Sequence, residues 1–213
     1  HYNGLGIEVE NVKLNLKKMM MRKEESVSIL TKGVEFLFKK NKVTYLKGTG
    51  SILSANKVSV ENNGKKIDYN SKNIVISTGS KPSFLPKIDI DEKIIVSSTG
   101  ALSFSKVPKN LIIIGGGYIG LEMGSIWKRL GSNITVIEFL DHIVPGMDQD
   151  ISKEFLKILT KQGIEFKLNS EVTDVKAIGG KAVVDFTNVS TKKRKRVECD
   201  KVLVAVGRKP NTK

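Results

Sequence analysis

Cysteine is nearly absent from this chain. A single residue, Cys199, stands among 213, so no disulfide can close within the chain and no cysteine-based zinc site can form. A lone thiol fits a reducing compartment, and a cytoplasmic setting is the expectation. Histidine is scarce as well, limited to His1 and His142. Long apolar runs are missing. None reaches the roughly 18 residues that a bilayer span needs, so no membrane partner is expected. The opening HYNGLGIEVE has neither the basic nor the apolar region of a secretory signal. The chain starts on His1, not Met, which suggests an internal segment of something longer. Arginine is under-used too. The formal charge is +14, yet only five of the 36 basic residues are arginine: Arg22, Arg129, Arg194, Arg196 and Arg208. Surfaces that grip phosphates or base edges favour arginine with interleaved aromatics, and aromatics make up 6% here. The lysine excess reads as compositional bias, so nucleic acid is not the expected partner.

What is present is the composition of a soluble globular protein, with 39% apolar and 27% charged residues. The length allows one large or two small domains. From about Asn15 to Lys40, the spacing of Val27, Leu30, Val34 and Leu37 predicts a helix with one apolar face packed on a core. VTYLKGTGSIL, KVSVEN and KKIDYN read as a β-meander, with a tight turn at 62–64. NIVIS predicts a buried strand from Ile74 to Ser77, running into Thr78-Gly79-Ser80. The stretch from Lys87 to Pro108 reads as a linker with one helical turn. On this basis residues 1–107 form one region and 108–213 a second.

The second region is more regular. LIII is a continuous apolar run, as in a strand buried on both faces of a parallel sheet. Ile119, Met123, Ile126, Trp127 and Leu130 mark one face of a helix, and Gly131 stands where it would stop. NITVIEF predicts a second buried strand. A helix over 150–162 turns Ile151, Phe155, Ile158 and Leu159 inward. IEFKLN predicts a third strand. Three antiparallel pieces follow, and KVLVAVG closes the unit. The fold class is α/β: a Rossmann-like domain with a β-meander.

Between the first strand and its helix lies Gly115-x-Gly117-x-x-Gly120. In that context each glycine has a physical task. The first allows a tight turn, the second lets backbone approach a pyrophosphate, and the third lets helix and strand pack closely. The helix N-terminus then offers free N–H groups and partial positive charge. Glu138 follows at the end of the second strand, where a carboxylate can accept hydrogen bonds from a ribose and repels a 2′-phosphate. Phe139, Leu140 and Asp141 come next, without an arginine, which favours NAD over NADP. Glu122 lies in the first helical turn, where the helix dipole alone would favour it.

These residues, together with STGS (77–80), VSSTGALS (96–103), GGGYIGLEMGSIWKRLGSNITVIEF (115–139) and VGRKPNT (206–212), resemble the pyridine nucleotide–disulfide oxidoreductase family over essentially the whole chain. VSSTGAL and GSIWKRLGS are similar to the members that serve 2-oxo-acid dehydrogenase complexes. The resemblance implies an FAD-binding domain, represented here by part of one over 1–107, and an NAD-binding domain over 108–213. It implies FAD contacts at Gly50, Thr78, Gly79 and Ser80. It implies NAD contacts at Gly115, Gly116, Gly117, Tyr118, Ile119, Gly120, Leu121 and Glu122, with Glu122 at the nicotinamide end. Glu138 would hold the ribose, and Val172 and Gly207 would border the cleft. The implied partners are the lipoyl-bearing subunit of a 2-oxo-acid dehydrogenase complex and a second copy of the full-length enzyme, with the fragment itself monomeric.

The family also uses an N-terminal flavin GxGxxG, a CxxxxC redox pair, a GD motif and a C-terminal HxxxxE. None occurs here. The chain therefore reads as the middle of such an enzyme, inactive alone, with no catalytic residue of its own and an incomplete FAD site. Cys199 reads as structural and His142 as a surface residue. The run Lys192 to Arg196 is either a nucleic-acid patch or, as preferred here, a solvated tip between hairpin strands. Two alternatives to the main reading stay open. One is a flavin disulfide reductase with another substrate. The other is a non-enzymatic NAD- or nucleic-acid-binding module.

Overall fold

A computed structural model describes Gly6 and residues 11–212. His1 and most of the HYNGLGIEVE stretch lie outside the described residues. The chain divides into two compact units, one chiefly Lys18–Gly79 and the other chiefly Ser80–Asn211.

The first unit begins with α1 (Leu16–Lys40). Val27, Leu30, Val34 and Leu37 share a face, as their spacing requires. The expected packing on a core is not found. No residue of α1 is buried, and Leu30 is 70% exposed. β1 (Thr49–Ser54), β2 (Lys57–Asn62) and β3 (Lys65–Asn70) form the antiparallel meander. Asn63 and Gly64 adopt φ of 49° and 77°, the left-handed pair that a two-residue hairpin turn needs. The three strands bury only Ser59, too little surface to cover a helix face. Ile74–Ser77 is not a strand, and Val75 is 86% exposed. An apolar run becomes a buried strand only where neighbours complete its hydrogen-bond ladder. Among the described residues no strand pairs with it.

The second unit runs through β4 (Ser80–Pro82), β5 (Ile95–Val96), α2 (Ser98–Ala101), β6 (Asn110–Ile114), α3 (Tyr118–Arg129), β7 (Asn133–Ile137), α4 (Gln149–Lys161), β8 (Glu165–Lys167), β9 (Ser170–Ile178), β10 (Lys181–Asn188), β11 (Arg194–Cys199), β12 (Lys201–Val204) and β13 (Arg208–Pro210). Five strands form a parallel sheet in the order β5-β12-β6-β7-β8. The stretch read as linker is thus part of this unit, because β5 pairs with β12 at the sheet edge. Asp91 sets that strand's start. Its Oδ1 accepts the N–H groups of Lys93, Ile94 and Ile95 at 2.8, 2.8 and 3.0 Å. Burial alone would raise this carboxyl. The three N–H donors and the Lys201 charge outweigh it and hold the group below the usual carboxylate range.

Alternation along β6 divides the core. Ile112 and Ile114 join Val184, Phe186, Val202 and Val204 in one apolar cluster between the parallel sheet and the antiparallel β11-β10-β9 sheet. Ile113 faces α3 on the other side. There the buried helix residues are Gly120, Leu121, Gly124 and Trp127; of the expected face Ile119, Met123, Ile126, Trp127 and Leu130, Trp127 alone is buried and Ile126 is exposed. The reason is close approach. A Cβ on Gly124 would stand 2.8 Å from Ile113 Cδ1, and one on Gly120 would stand 3.0 Å from Ile113 Cγ2. Glycines make the contact, and apolar periodicity cannot register them. In α4 the buried residues are Ser152 and Leu159, whereas Ile151 and Ile158 are exposed.

Candidate functional site

Three strand ends shape the site. The chain leaves β6 at Gly115, β7 at Glu138 and β12 at Ala205. In the sheet the chain steps from β6 to β7 to β8 in one direction and then returns to β12, on the opposite side of β6, so the strand order reverses between β6 and β12. Ligands of open α/β sheets bind at such a reversal, beyond the carboxyl ends of the strands. A cleft of about 980 Å³ opens there. It is lined by Ile114, Gly115, Gly117, Tyr118 and Ile119 after β6, by Ile137–Phe139 and Val144–Met147 after β7, and by Val204–Arg208 after β12. Pro82, Leu85, Ser98, Ser170, Glu171 and Val172 complete the wall. Glu138, Glu171 and Arg208 are the charged residues of the lining.

The three motif glycines have three different surroundings. Gly115 has φ +105°, and a Cβ there would lie 2.5 Å from Ala205 O. Only glycine fits where β6 turns past the end of β12. A Cβ on Gly120 would lie 2.6 Å from Gly115 O, so the third glycine serves packing. Gly117 is the N-cap of α3 without a side-chain cap, and a Cβ on it would meet nothing within 4 Å. The space beside it belongs to the cleft.

Hydrogen bonds hold this loop firmly. Gly115 N–H donates to Ile137 O at 2.9 Å. Gly116 N–H donates to Glu138 Oε2 at 2.6 Å, and Leu140 N–H donates to Glu138 Oε1 at 2.8 Å. Glu138 is 8% exposed, and both its oxygens take a backbone N–H. One carboxylate therefore clamps the glycine loop to the turn after β7, with its remaining lone pairs still able to accept. Opposite, Ser83 N–H donates to Gly207 O at 2.9 Å. Arg208 Nε donates to Ser80 Oγ at 2.7 Å. β13 pairs with β4, so Arg208 and Pro82 stand together in the cleft wall.

Of the residues singled out from sequence, Gly115, Gly117, Tyr118, Ile119, Glu138, Val172 and Gly207 line the cleft. Gly116, Gly120 and Leu121 are buried behind it. Glu122 is exposed, one helical turn beyond Tyr118, and is not part of the lining. Gly50, Thr78 and Gly79 belong to the other unit. Gly50 sits in β1 opposite Val60, with open space where a Cβ would be. In that GTG run, strand pairing demands Gly48 instead, whose Cβ would lie 2.5 Å from Glu61 O. Thr78 and Gly79 are exposed, with Gly79 at φ +71°. Ser80 opens β4. Sequence reasoning did not find the 144–147 loop or Arg208, although the Pro145-Gly146 pair was a turn signal.

Cys199 is buried on β11, and burial pushes its thiol up to about 12. His142 is partly exposed, with Nδ1 2.7 Å from the Asp141 carboxylate. The basic run is only partly a tip. Lys192 and Lys193 lie in the turn, but Arg194, Lys195 and Arg196 are on β11, the edge of its sheet. Arg196 forms a fork onto Asp185 at 2.7 and 2.8 Å. Charge on an edge strand discourages pairing with another edge.

Comparison with known proteins places this geometry. The family model described as pyridine nucleotide-disulphide oxidoreductase matches residues 4–213. Dihydrolipoamide dehydrogenase of Chaetomium thermophilum is 54% identical over 210 residues, which are 98% of this chain and 42% of that protein. The mitochondrial dihydrolipoyl dehydrogenase of Schizosaccharomyces pombe is 48% identical over 97% of this chain and 41% of its own length. Among solved structures, the Cu(II) complex of the HOCl-induced flavoprotein disulfide reductase RclA from Escherichia coli has a TM-score of 0.76 at 27% identity. It covers 92% of this chain and 43% of its own. The chain thus spans about two fifths of the length of the curated relatives it matches.

Proposed function

The chain belongs to the pyridine nucleotide-disulphide oxidoreductase family, and from that premise we propose that it is the central part of a dihydrolipoamide dehydrogenase, with NAD held in the cleft of its second unit. The observation that carries the NAD assignment is the glycine loop clamped by Glu138 at the cleft mouth. The residues fit the group. Gly117 leaves the N-terminus of α3 uncovered, suited to a pyrophosphate. Glu138 keeps acceptor capacity for ribose hydroxyls, and Phe139 and Leu140 beside it bring no cation for a 2′-phosphate. When bound, FAD and NAD together supply the hydride path away from a dithiol. This chain's own residues bind and orient the nicotinamide dinucleotide, and the largely apolar cleft walls exclude water from it.

In the whole protein FAD would meet Gly50, Thr78, Gly79 and Ser80 alongside segments that carry the redox cysteines and the acid–base pair. The proposed partners are a lipoyl-bearing subunit of a 2-oxo-acid dehydrogenase complex and a second copy of the enzyme. The fragment alone is proposed to be inactive. A cytoplasmic site rests only on the single cysteine. Several relatives carry "mitochondrial" in their names, so fractionation of the source cells decides between the two compartments. Likeness to RclA favours one second reading, a flavin disulfide reductase with another substrate. Calorimetric titration of the 213-residue chain with NAD and NADP tests the site. Binding of NAD at least about tenfold tighter than NADP supports it, and equal affinities or no binding overturn it. Turnover of dihydrolipoamide against other thiol substrates by the whole protein separates the two enzyme readings.

A further inference from the structure

Ser152 has no place in the cleft wall, yet it is 2% exposed in the first turn of α4. Its Oγ donates to Ile143 O at 2.8 Å. The other side of the same Ile143–Val144 peptide group faces the glycine loop, where Val144 N–H donates to Gly116 O at 2.8 Å. Val144 adopts φ +44°, a conformation that a β-branched residue rarely takes. Such strain persists only where neighbours over-determine the backbone. Here they do. Val144 O accepts Met147 N–H at 3.1 Å. The Ile143 side chain is fully buried, with its Cγ2 3.2 Å from where a Gly116 Cβ would be. Ser152 itself is anchored, its N–H donating to Asp148 O at 2.9 Å. The Asp148 side chain caps α4 by accepting from Asp150 and Ile151 N–H.

In a trans peptide the carbonyl and the following N–H point opposite ways. Holding Gly116 O toward Val144 therefore turns Gly117 N–H to the opposite side, and Gly117 lines the cleft. We propose that Ser152 is a positioning residue for the dinucleotide site, setting the Gly116–Gly117 peptide through Ile143 and Val144. The proposal rests on the dinucleotide reading above and adds to it a residue that touches no ligand. Glu138 holds the preceding Gly115–Gly116 peptide through Gly116 N–H, and the Ser152 relay holds the Gly116–Gly117 peptide through Gly116 O. Loss of the relay loosens the Gly116–Gly117 peptide.

Ser152→Ala, Ser152→Thr and the wild-type chain are compared by hydrogen exchange at the Val144 amide without ligand, and by titration with NAD, ADP and adenosine. Ser152→Ala is expected to speed exchange at Val144. It is expected to weaken NAD and ADP about tenfold and to leave adenosine, which lacks phosphates, unchanged. Ser152→Thr keeps the hydroxyl and restores both readouts. Should Ser152→Ala not fold, Ser152→Cys keeps the volume with a weaker donor and is expected to show the same pattern. Unchanged exchange at Val144, or an equal loss for adenosine and ADP, overturns the relay alone. A wild-type chain that binds neither NAD nor ADP overturns the dinucleotide reading and the relay with it.

Discussion

Replacing Glu138 separates two roles that one carboxylate holds in this fold. The residue accepts Gly116 N–H at 2.6 Å and Leu140 N–H at 2.8 Å, one on each oxygen. A hydrogen bond to a charged group contributes about 1.5–3 kcal/mol, so Glu138→Ala removes roughly 3–6 kcal/mol of interaction. Relief of the carboxylate's own burial returns part of that. The net destabilisation expected is about 2–4 kcal/mol. Glu138→Gln is the sharper test. An amide keeps one acceptor but turns an NH2 donor toward a backbone N–H, whichever way it flips. It should therefore cost about 1–3 kcal/mol despite its matching shape. Urea denaturation followed by Trp127 fluorescence reads this directly. Trp127 is the chain's one tryptophan, buried in α3 with its ring centroid 5.1 Å from that of Phe104. With a slope near ~2 kcal/mol/M, Glu138→Ala should lower the midpoint by about 1–2 M. If Glu138→Gln unfolds at the wild-type midpoint and loses only NAD affinity, the clamp is not structural and the reasoning fails.

The glycines should part in the same way. Gly117→Ala places its Cβ in open space, so it should change stability by less than about 1 kcal/mol while weakening NAD binding tenfold or more (~1.4 kcal/mol or above). Gly115→Ala sets a Cβ 2.5 Å from Ala205 O at φ +105°, and should fail in the thermal melt before binding can be measured. A Gly117→Ala chain that binds NAD like wild type would remove the pyrophosphate from that position. Cys199 supplies the pH test. Burial holds its thiol protonated up to about 12, so a disulfide reagent at pH 8 should label it only after denaturation. Its folded pKa lies above the unfolded value of about 8.5. Its contribution to stability is therefore complete below that pH and is lost progressively as pH rises toward about 12. Rapid labelling of the native chain would show that Cys199 is not enclosed as described.

Local pattern carried furthest where a residue's role depends on its near neighbours. The apolar runs Leu111–Ile114 and Val202–Val204 are buried strands because both their faces are covered within one unit. The same kind of run at Ile74–Ser77 remains an exposed irregular segment. Nothing in its residues distinguishes it from the other two, because a strand's partners come from elsewhere in the chain. The stripe Val27–Leu30–Val34–Leu37 marks a helix in the same way but does not supply its cover. On α3 the inward face combines Leu121 and Trp127 with Gly120 and Gly124, and the glycines' lack of side chain is what permits the close contact and also what hides it from any count of apolar residues.

By itself the sequence determined the α/β class, the strand–glycine–helix order, the turn at Gly115 and the close packing at Gly120, and the acid at the end of β7. Each of these follows from spacing along a regular element or from backbone conformation that only glycine tolerates. Tertiary structure alone decided that β5 joins the parallel sheet and that Gly120 and Leu121 stand behind the cleft. It also decided that Glu122 is not in the cleft wall, and that Val144, Ser152 and Arg208 shape the site from distant parts of the chain. Those facts depend on hydrogen bonds and van der Waals contacts between segments far apart in sequence. No local periodicity encodes which segments will meet.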